Sequence, residues 1–476
     1  MGPSCAVYPP SRSCPARNRR SAQRGPNAHP GHDDLNHHRI IPELAEPTVI
    51  ARADHSVSRA LIDSDALKVL YRLQKYNHDA YLVGGGVRDL LLGRVPKDFD
   101  IGTSARPSEV KRLFRNCWII GRRFRLAHVK FGLKTIEVAT FRRQLSVEEE
   151  EQASATDLKD AQEREAREKA GPTAEGSHPR RVRRPTRDNT FGTEEEDAFR
   201  RDFTINALFY DIKTFSVIDY VGGLEDLRTG LIRSIGDPHL RFVEDPVRML
   251  RALAFATRLD FRLDLPVQRA IKRNRAEILK AAPARLIEEL YKILRSGFSV
   301  ATFRMLAETG LLKLIAPEID TRKRSALWPS LDRLDTYRAE FKETPPTLSN
   351  AVLLGSLIQP GQPLDLTPRK RDDKRPIDVS LGGLPIARKD VERLRQALQL
   401  QTRLQDPPLG SGRVRSVLFR AAFETAVTWL TVHGDAPEAV ERWTALAASD
   451  APPSERKPRR RRRPRGRRRP QRATET

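Results

Sequence analysis

The spacing of hydrophobic positions changes character repeatedly between residues 60 and 140. In "LIDSDALKVLYRLQKYNHD", Leu67, Leu70, Tyr71 and Leu73 recur at helical spacing, and Asp63 or Ser64 can cap the first turn. "AYLVGGGV" is an unbroken apolar run that ends in glycines, the pattern of a buried strand entering a tight turn. "VRDLLLG" then opens a helix that Gly93 ends, and "DFDIGT" reads as the next strand. "PSEVKRLFRNC" is a helix with Pro107 at its start. In "HVKFGLKTIEVATFR", Ile136, Val138 and Thr140 alternate and Gly132 lies near a turn, so a hairpin is expected. Residues 146–187 break the pattern, with few apolar residues and blocks of one charge sign, acidic and then basic, as in a mobile insertion. Order resumes at "EEEDAFRRDFTINALFYDI", read as a helix running toward an apolar segment. "FSVIDYVGGLEDLRTGLIRSI" follows as strand and turn. From Asp245 to Trp443 the period is mostly helical, as in "PARLIEELYKIL" and "VATFRMLAETGLLKLI".

The expected architecture is α+β: a mixed head over residues 60–235, helices over 236–320 and 321–450, and disordered ends at 1–45 and 451–476. The ends alter the picture through charge. The 476 residues carry a formal net charge of +24, and the chain closes on "RKPRRRRRPRGRRRPQR", which has no side chains to bury a core. So basic a chain favours a polyanionic partner, nucleic acid first. The three cysteines, Cys5, Cys14 and Cys117, imply neither a disulfide framework nor a zinc site, which suits a reducing, cytoplasmic setting. No apolar run is long enough to span a membrane. The histidines of "HPGHDDLNHH" read as a solvated tract.

Candidate chemistry centres on "KDFDIGT". In a strand, residues i and i+2 share a face, so Asp98 and Asp100 would stand side by side and repel. Divalent cations relieve such repulsion, and two of them about 3.5–4 Å apart can activate a hydroxyl and stabilise a leaving pyrophosphate. The preceding Gly84, Gly85 and Gly86 open a helix where backbone N–H groups can approach a phosphate, with Arg88 two residues on. The run is neither a dinucleotide fingerprint nor a Walker A sequence. For a third carboxylate there are two candidates, Glu137 and Asp202. Asp202 is favoured because Arg200 and Arg201 precede it and Asn206 lies one turn on. In "EDPVRMLRALAFATR", Asp245, Arg248 and Arg251 share a helical stripe that could read a base edge and hold phosphates. The plainer reading is a capped helix with a Glu244–Arg248 pair.

Together, "LVGGGVRDLLLG…KDFDIGT", "RRDFTINAL", "YVGGLEDLRTG" and "EDPVRMLRALAFATRL" resemble the class II nucleotidyltransferases, the bacterial poly(A) polymerases and CCA-adding tRNA nucleotidyltransferases, over roughly residues 60 to 320. The resemblance implies a polymerase-β-like head with helical neck and body, and template-free addition of nucleotides to RNA 3′ ends with two Mg²⁺ ions. It implies Asp98 and Asp100 as metal ligands, with Asp202 completing the catalytic set. For the nucleotide it implies Gly85, Arg88, Arg201, Asp245, Arg248 and Arg251, to which Asn206 is added from its place one turn past Asp202. "IIGRRFRLAHV" resembles the stretch that marks the poly(A) branch, with Arg122, Arg123 and Arg125 expected to bind RNA. ATP, single-stranded RNA 3′ ends and RNA-degradation machinery are the partners so implied. The rival readings are CCA addition to tRNA and a catalytically silent RNA-binding protein.

Overall fold

The computed structural model describes residues 46–121, 125–143, 190–319, 326–359, 364–367, 379–406 and 411–449. The leader, the charged insertion and the Arg-rich tail lie outside these residues, as do Arg122 and Arg123.

In chain order the first part comprises β1 (Thr48–Ile50), α1 (Ser64–Lys75), β2 (Ala80–Val83), α2 (Gly85–Leu91), β3 (Asp100–Thr103), α3 (Pro107–Leu113), β4 (Cys117–Ile120), β5 (Leu126–Phe131), β6 (Lys134–Thr140), α4 (Glu194–Phe199), β7 (Leu208–Asp211), β8 (Ser216–Asp219) and α5 (Gly223–Thr229). Strands β1 to β8 form one mixed sheet in the order β1-β8-β7-β2-β3-β6-β5-β4. Only β3 and β6 among them pair in parallel; every other neighbouring pair is antiparallel. Alternation divides the sheet into two faces. Leu82, Ile101 and Val138 join the large core with Val69, Leu70 and Leu73 of α1. Val83, Phe141 and Phe209 face the other way, into a smaller cluster with Ala198 and Ala207.

Asp63 caps α1, accepting from the backbone N–H of Asp65 at 2.8 Å and of Ala66 at 3.2 Å. The segment read as one helix running toward an apolar strand is cut short. Helix α4 stops at Phe199, a 3-10 turn covers Thr204–Asn206, and β7 follows. The physical reason is the neighbourhood: Ile205, Leu208 and Tyr210 are fully buried in the main core, and tertiary burial overrides the local helical pattern.

The second part is helical, as its period predicts. Helices α6 (Pro238–Glu244), α7 (Val247–Leu259), α8 (Leu265–Asn274), α9 (Pro283–Leu294), α10 (Ser299–Glu308) and α11 (Leu311–Ile315) come first. Then follow α12 (Leu327–Ala339), α13 (Asn350–Ile358), α14 (Arg388–Gln405), α15 (Ser411–Leu418), α16 (Phe423–His433) and α17 (Pro437–Ser449). The large core continues from Val57 under the sheet through α7, α9 and α13 to Val432, so sheet and first helices share one apolar interior. A separate cluster around Leu400, Leu430 and Trp443 joins α14, α16 and α17. Among the described residues no helix is long and apolar enough to cross a membrane.

Candidate active site

Three carboxylates meet at the edge of the smaller face. Strand β3 begins at Asp100, so Asp98 lies in the extended segment just before it, and both side chains are exposed. The parallel register Ile101↔Val138 sets Asp100 beside Glu137, one residue earlier on each strand. Glu137 in turn pairs with His128, and His128 with Trp118, so one row crosses four strands from Asp100 to an exposed tryptophan. His128 Nε2 lies 3.6 Å from Glu137 Oε1. Crowding by protein strips hydration from the Asp100 carboxylate, and Glu137 and then Asp98 repel its charge. Together they push it up to about 6, against the pull of Arg201. Among the described residues no group of three or more His, Cys, Asp or Glu side chains is arranged to hold a metal ion. Asp98 and Glu137 thus add negative charge at Asp100 that Arg201 offsets only in part.

Beside it stands the glycine turn. Gly84 caps α2 with φ +69°, a left-handed value that favours glycine, and a Cβ there would lie 2.9 Å from Arg201 Nη1. Gly86 packs against the Asp98 carbonyl, where a Cβ would meet the oxygen at 3.4 Å. The turn thus brings backbone, Arg201 and the aspartates into one corner. Gly85 is partly open there, as a phosphate contact requires.

Two expected nucleotide contacts, Arg88 and Asn206, are engaged with other protein groups in this arrangement. Arg88 is 2% exposed and its guanidinium is spent within the protein. It donates to Asp89 Oδ1 at 2.8 Å and to Asn206 Oδ1, and lies 5.3 Å from the Phe255 ring centroid. Asn206 is 7% exposed, and its Nδ2 donates to Asp202 Oδ1 at 3.1 Å. Both brace their neighbours here. Asp202, expected to complete the catalytic carboxylates, lines the cleft described below and is likewise engaged. Asp202 accepts from Arg251 Nε at 2.7 Å, from Asn206 and from the Phe203 N–H. Burial disfavours its charge, but Arg251 and these hydrogen bonds prevail and hold the carboxyl below its ordinary range. Its charge is neutralised by an arginine, whereas Glu137 bears directly on Asp100. Arg201 is held by Asp197 at 3.0 Å and by the Asn206 carbonyl at 3.1 Å.

The second wall belongs to the helices. A cleft of about 520 Å³ is lined by Asp202, Asp245, Arg248 and Arg251 on one side and by residues of α9, among them Arg285, Glu288 and Lys292, on the other. Pro246, not Asp245, occupies the N-cap of α7, although Asp245 Oδ1 accepts from the Val247 N–H at 3.3 Å. The Asp245 carboxylate forms a two-pronged pair with Arg285, at 3.0 and 2.8 Å. Arg248 Nη1 donates to Glu244 Oε2 at 2.9 Å, so the helical pair expected on the plainer reading is present. Arg241 is a tie that sequence reading missed. It is 7% exposed, donates to the carbonyls of Arg200 and Arg201 and to Glu244, and so clamps α6 to the "RRD" segment. Burial, then Arg248, pulls it down to about 10. Arg285 was also missed: in "PARLIEELYKIL" it is one polar residue on an amphipathic helix, with no local mark of its partner 40 residues away. Arg125 is exposed just before β5 and does not line the cleft.

Residues 80–233 match the family described as "Poly A polymerase head domain", and residues 260–322 match "Probable RNA and SrmB- binding site of polymerase A". Over these two segments the chain is similar to the poly(A) polymerases. It is 47% identical to poly(A) polymerase I of Escherichia coli O6:H1 over 272 residues, 57% of this chain and 54% of that one. Against poly(A) polymerase I of Haemophilus influenzae it is 41% identical over 275 residues, 58% of this chain and 56% of that one. A CCA-adding enzyme of Bacillus licheniformis is 34% identical over 262 residues, 55% of this chain and 57% of that one. The chain thus spans about half the length of the curated relatives it matches. The crystal structure of the Bacillus stearothermophilus CCA-adding enzyme in complex with CTP shares the fold, with TM-score 0.51, 24% identity, and coverage of 81% of this chain and 82% of that one.

Proposed function

We propose that the protein adds AMP from ATP to RNA 3′ ends without a template. The observation that supports this reading is the crowding of negative charge from Asp98 and Glu137 on Asp100 beside the Gly84–Gly86 turn, in a chain 47% identical to a poly(A) polymerase I over 272 residues. We assign Asp98 and Asp100 to two Mg²⁺ ions and Glu137, in place of Asp202, as the third carboxylate. Bound ions would activate the RNA 3′-hydroxyl and neutralise pyrophosphate. The hydroxyl oxygen forms the new bond to the α-phosphorus, and the bond to the bridging oxygen of the β-phosphate breaks. Asp245 and Arg248 face the cleft where the adenine would lie; releasing them from Arg285 and Glu244 would free carboxylate and guanidinium for a base edge. Arg251, braced by Asp202, carries positive charge into the same cleft for phosphates. Residues 60–235 are then the catalytic head, 236–320 a neck that reads the nucleotide, and 321–450 a body. Arg122, Arg123 and Arg125 are assigned to RNA, cytoplasm is the setting, and RNA-degradation machinery is the proposed partner class.

Labelled ATP or CTP, supplied with generic RNA or with tRNA lacking its CCA end, tests the reading. AMP addition to generic RNA is expected. CTP incorporation confined to the truncated tRNA would establish CCA addition instead, and no incorporation with Mg²⁺ present would leave an RNA-binding protein only.

A further inference from the structure

Helix α1 covers the sheet face opposite the carboxylates. Its buried side, Val69, Leu70 and Leu73, shares the core of Leu82 and Ile101. Asp100 is the register partner of Val83, which belongs to the cluster on the other face. The outward side of α1 borders a groove of about 560 Å³ with an unusual lining. Phe114 and Phe131 form its floor. Lys68, Arg72 and Lys75 line it from the helix, and Tyr71 and Tyr76 stand at its rim. The two tyrosines are 44% and 51% exposed. Arg72 lies 5.5 Å from the Phe114 ring centroid and Lys68 5.8 Å from that of Phe131. Asp65 pairs with Lys68 at 2.7 Å, but no carboxylate lines the groove itself. Asn116 completes it.

A solvated helix face ordinarily mixes charge signs and keeps large rings inside. Here the cations recur at four- and three-residue steps, about 6 and 4.5 Å along the axis, and two exposed rings, Tyr71 and Tyr76, stand among them. That is the combination a single strand of nucleic acid requires: cations for successive phosphates and rings on which bases stack whatever their sequence. An acidic peptide would satisfy the cations and leave the rings idle.

We propose that this groove is a second single-stranded RNA site, which grips the strand upstream of the 3′ end being extended. It rests on the RNA-extending reading above. Because it lies on the far face of the sheet, only an RNA long enough to round the head can engage it together with the carboxylates. The groove then acts as a length-sensitive grip, raising affinity for longer RNA without touching the reaction.

The test titrates the full chain with short and long fluorescent oligoadenylates without ATP, at several salt concentrations. Tyr71→Ala with Tyr76→Ala should weaken long RNA about tenfold and leave short RNA unchanged, as expected from the loss of stacking. Neutralising Lys68, Arg72 and Lys75 to Gln should flatten the salt slope by up to about 2, at ~0.7 per phosphate. Addition at saturating short RNA should be unaltered in both variants. On the unmodified chain, RNA carrying 5-iodouridine upstream of its end should crosslink to Tyr71 or Tyr76, which guards against a variant that misfolds. Unchanged affinity and slope, or crosslinks found only elsewhere, overturn the proposal. So does an oligoglutamate that protects the tyrosines from modification where RNA does not. A chain that extends RNA normally while the variants bind normally refutes the groove alone. A chain that extends no RNA refutes the functional reading, and the titration and crosslink still read the groove.

Discussion

Asp100 carries the sharpest consequence at the scale of single residues. Its carboxyl is pushed up to about 6 from an ordinary value of 3.8. Between those values the folded protein holds more protons than the unfolded chain. The stability this group contributes is present in acid and lost as pH rises through 6. Without divalent cation, Asp100→Asn should therefore melt above the unmodified protein at neutral pH, by less than about 1 kcal/mol after solvent screening, which in a chain of this length is a shift of about 1 °C. The gap should close below about pH 4, and Mg²⁺ should raise the melting temperature of the unmodified protein only. The same variant should lose at least about a hundredfold in turnover, since it removes transition-state stabilisation and not a core contact. Comparing Glu137→Gln with Asp202→Asn by single-turnover kinetics settles the third carboxylate: the larger fall in rate at unchanged stability is expected for Glu137. Arg88→Ala should behave oppositely to a phosphate contact. Removing a guanidinium that is 2% exposed strands Asn206 and Asp89, costing about 2–4 kcal/mol in denaturant melts. An unchanged melt with a raised KM for ATP would restore Arg88 to the nucleotide.

Among elements, the glycine turn and the α7–α9 cleft place the chemistry. Gly84→Ala forces a left-handed residue and drives a methyl group against Arg201. A loss of about 1–2 kcal/mol is expected, with a fall in activity beyond what that loss explains. Across the cleft, the Asp245–Arg285 pair holds a proposed base reader closed. Arg285→Ala should loosen nucleotide choice less than Arg248→Ala, which should lose preference for ATP over CTP by about tenfold or more, because a misplaced base no longer leaves donors unpaired. Full ATP preference in Arg248→Ala, with earlier melting, would reduce that residue to its Glu244 pair.

For the whole molecule, charge would govern the proposed RNA capture. The closing segment "RKPRRRRRPRGRRRPQR" cannot dock by burial, so its contacts would go to phosphates regardless of sequence. Truncation after Pro453 should weaken RNA binding and flatten its salt dependence, by ~0.7 in slope for each phosphate that the tail no longer neutralises. Turnover on saturating RNA and affinity for ATP should hardly change. Equal slopes in the intact and truncated chains would remove the tail from RNA capture.

The sequence by itself determined the local elements and the ordered set of motifs. Helix and strand periods, the glycine turn and the proline starts are short-range matters, decided by side-chain spacing and backbone freedom, and the described structure carries them. It also named Asp98, Asp100 and the helix that bears Arg248 as candidates. What only tertiary structure decided is which polar groups face one another. Arg88 and Asn206 lie 118 residues apart yet hydrogen-bond, and Arg251 reaches back 49 residues to Asp202. Glu137 reaches Asp100 only through the parallel β3–β6 register. An arginine or a carboxylate has the same local signature whether it binds substrate or braces a neighbour. The difference lies in burial and in long-range partners, and these exist only once the sheet and the helices have packed.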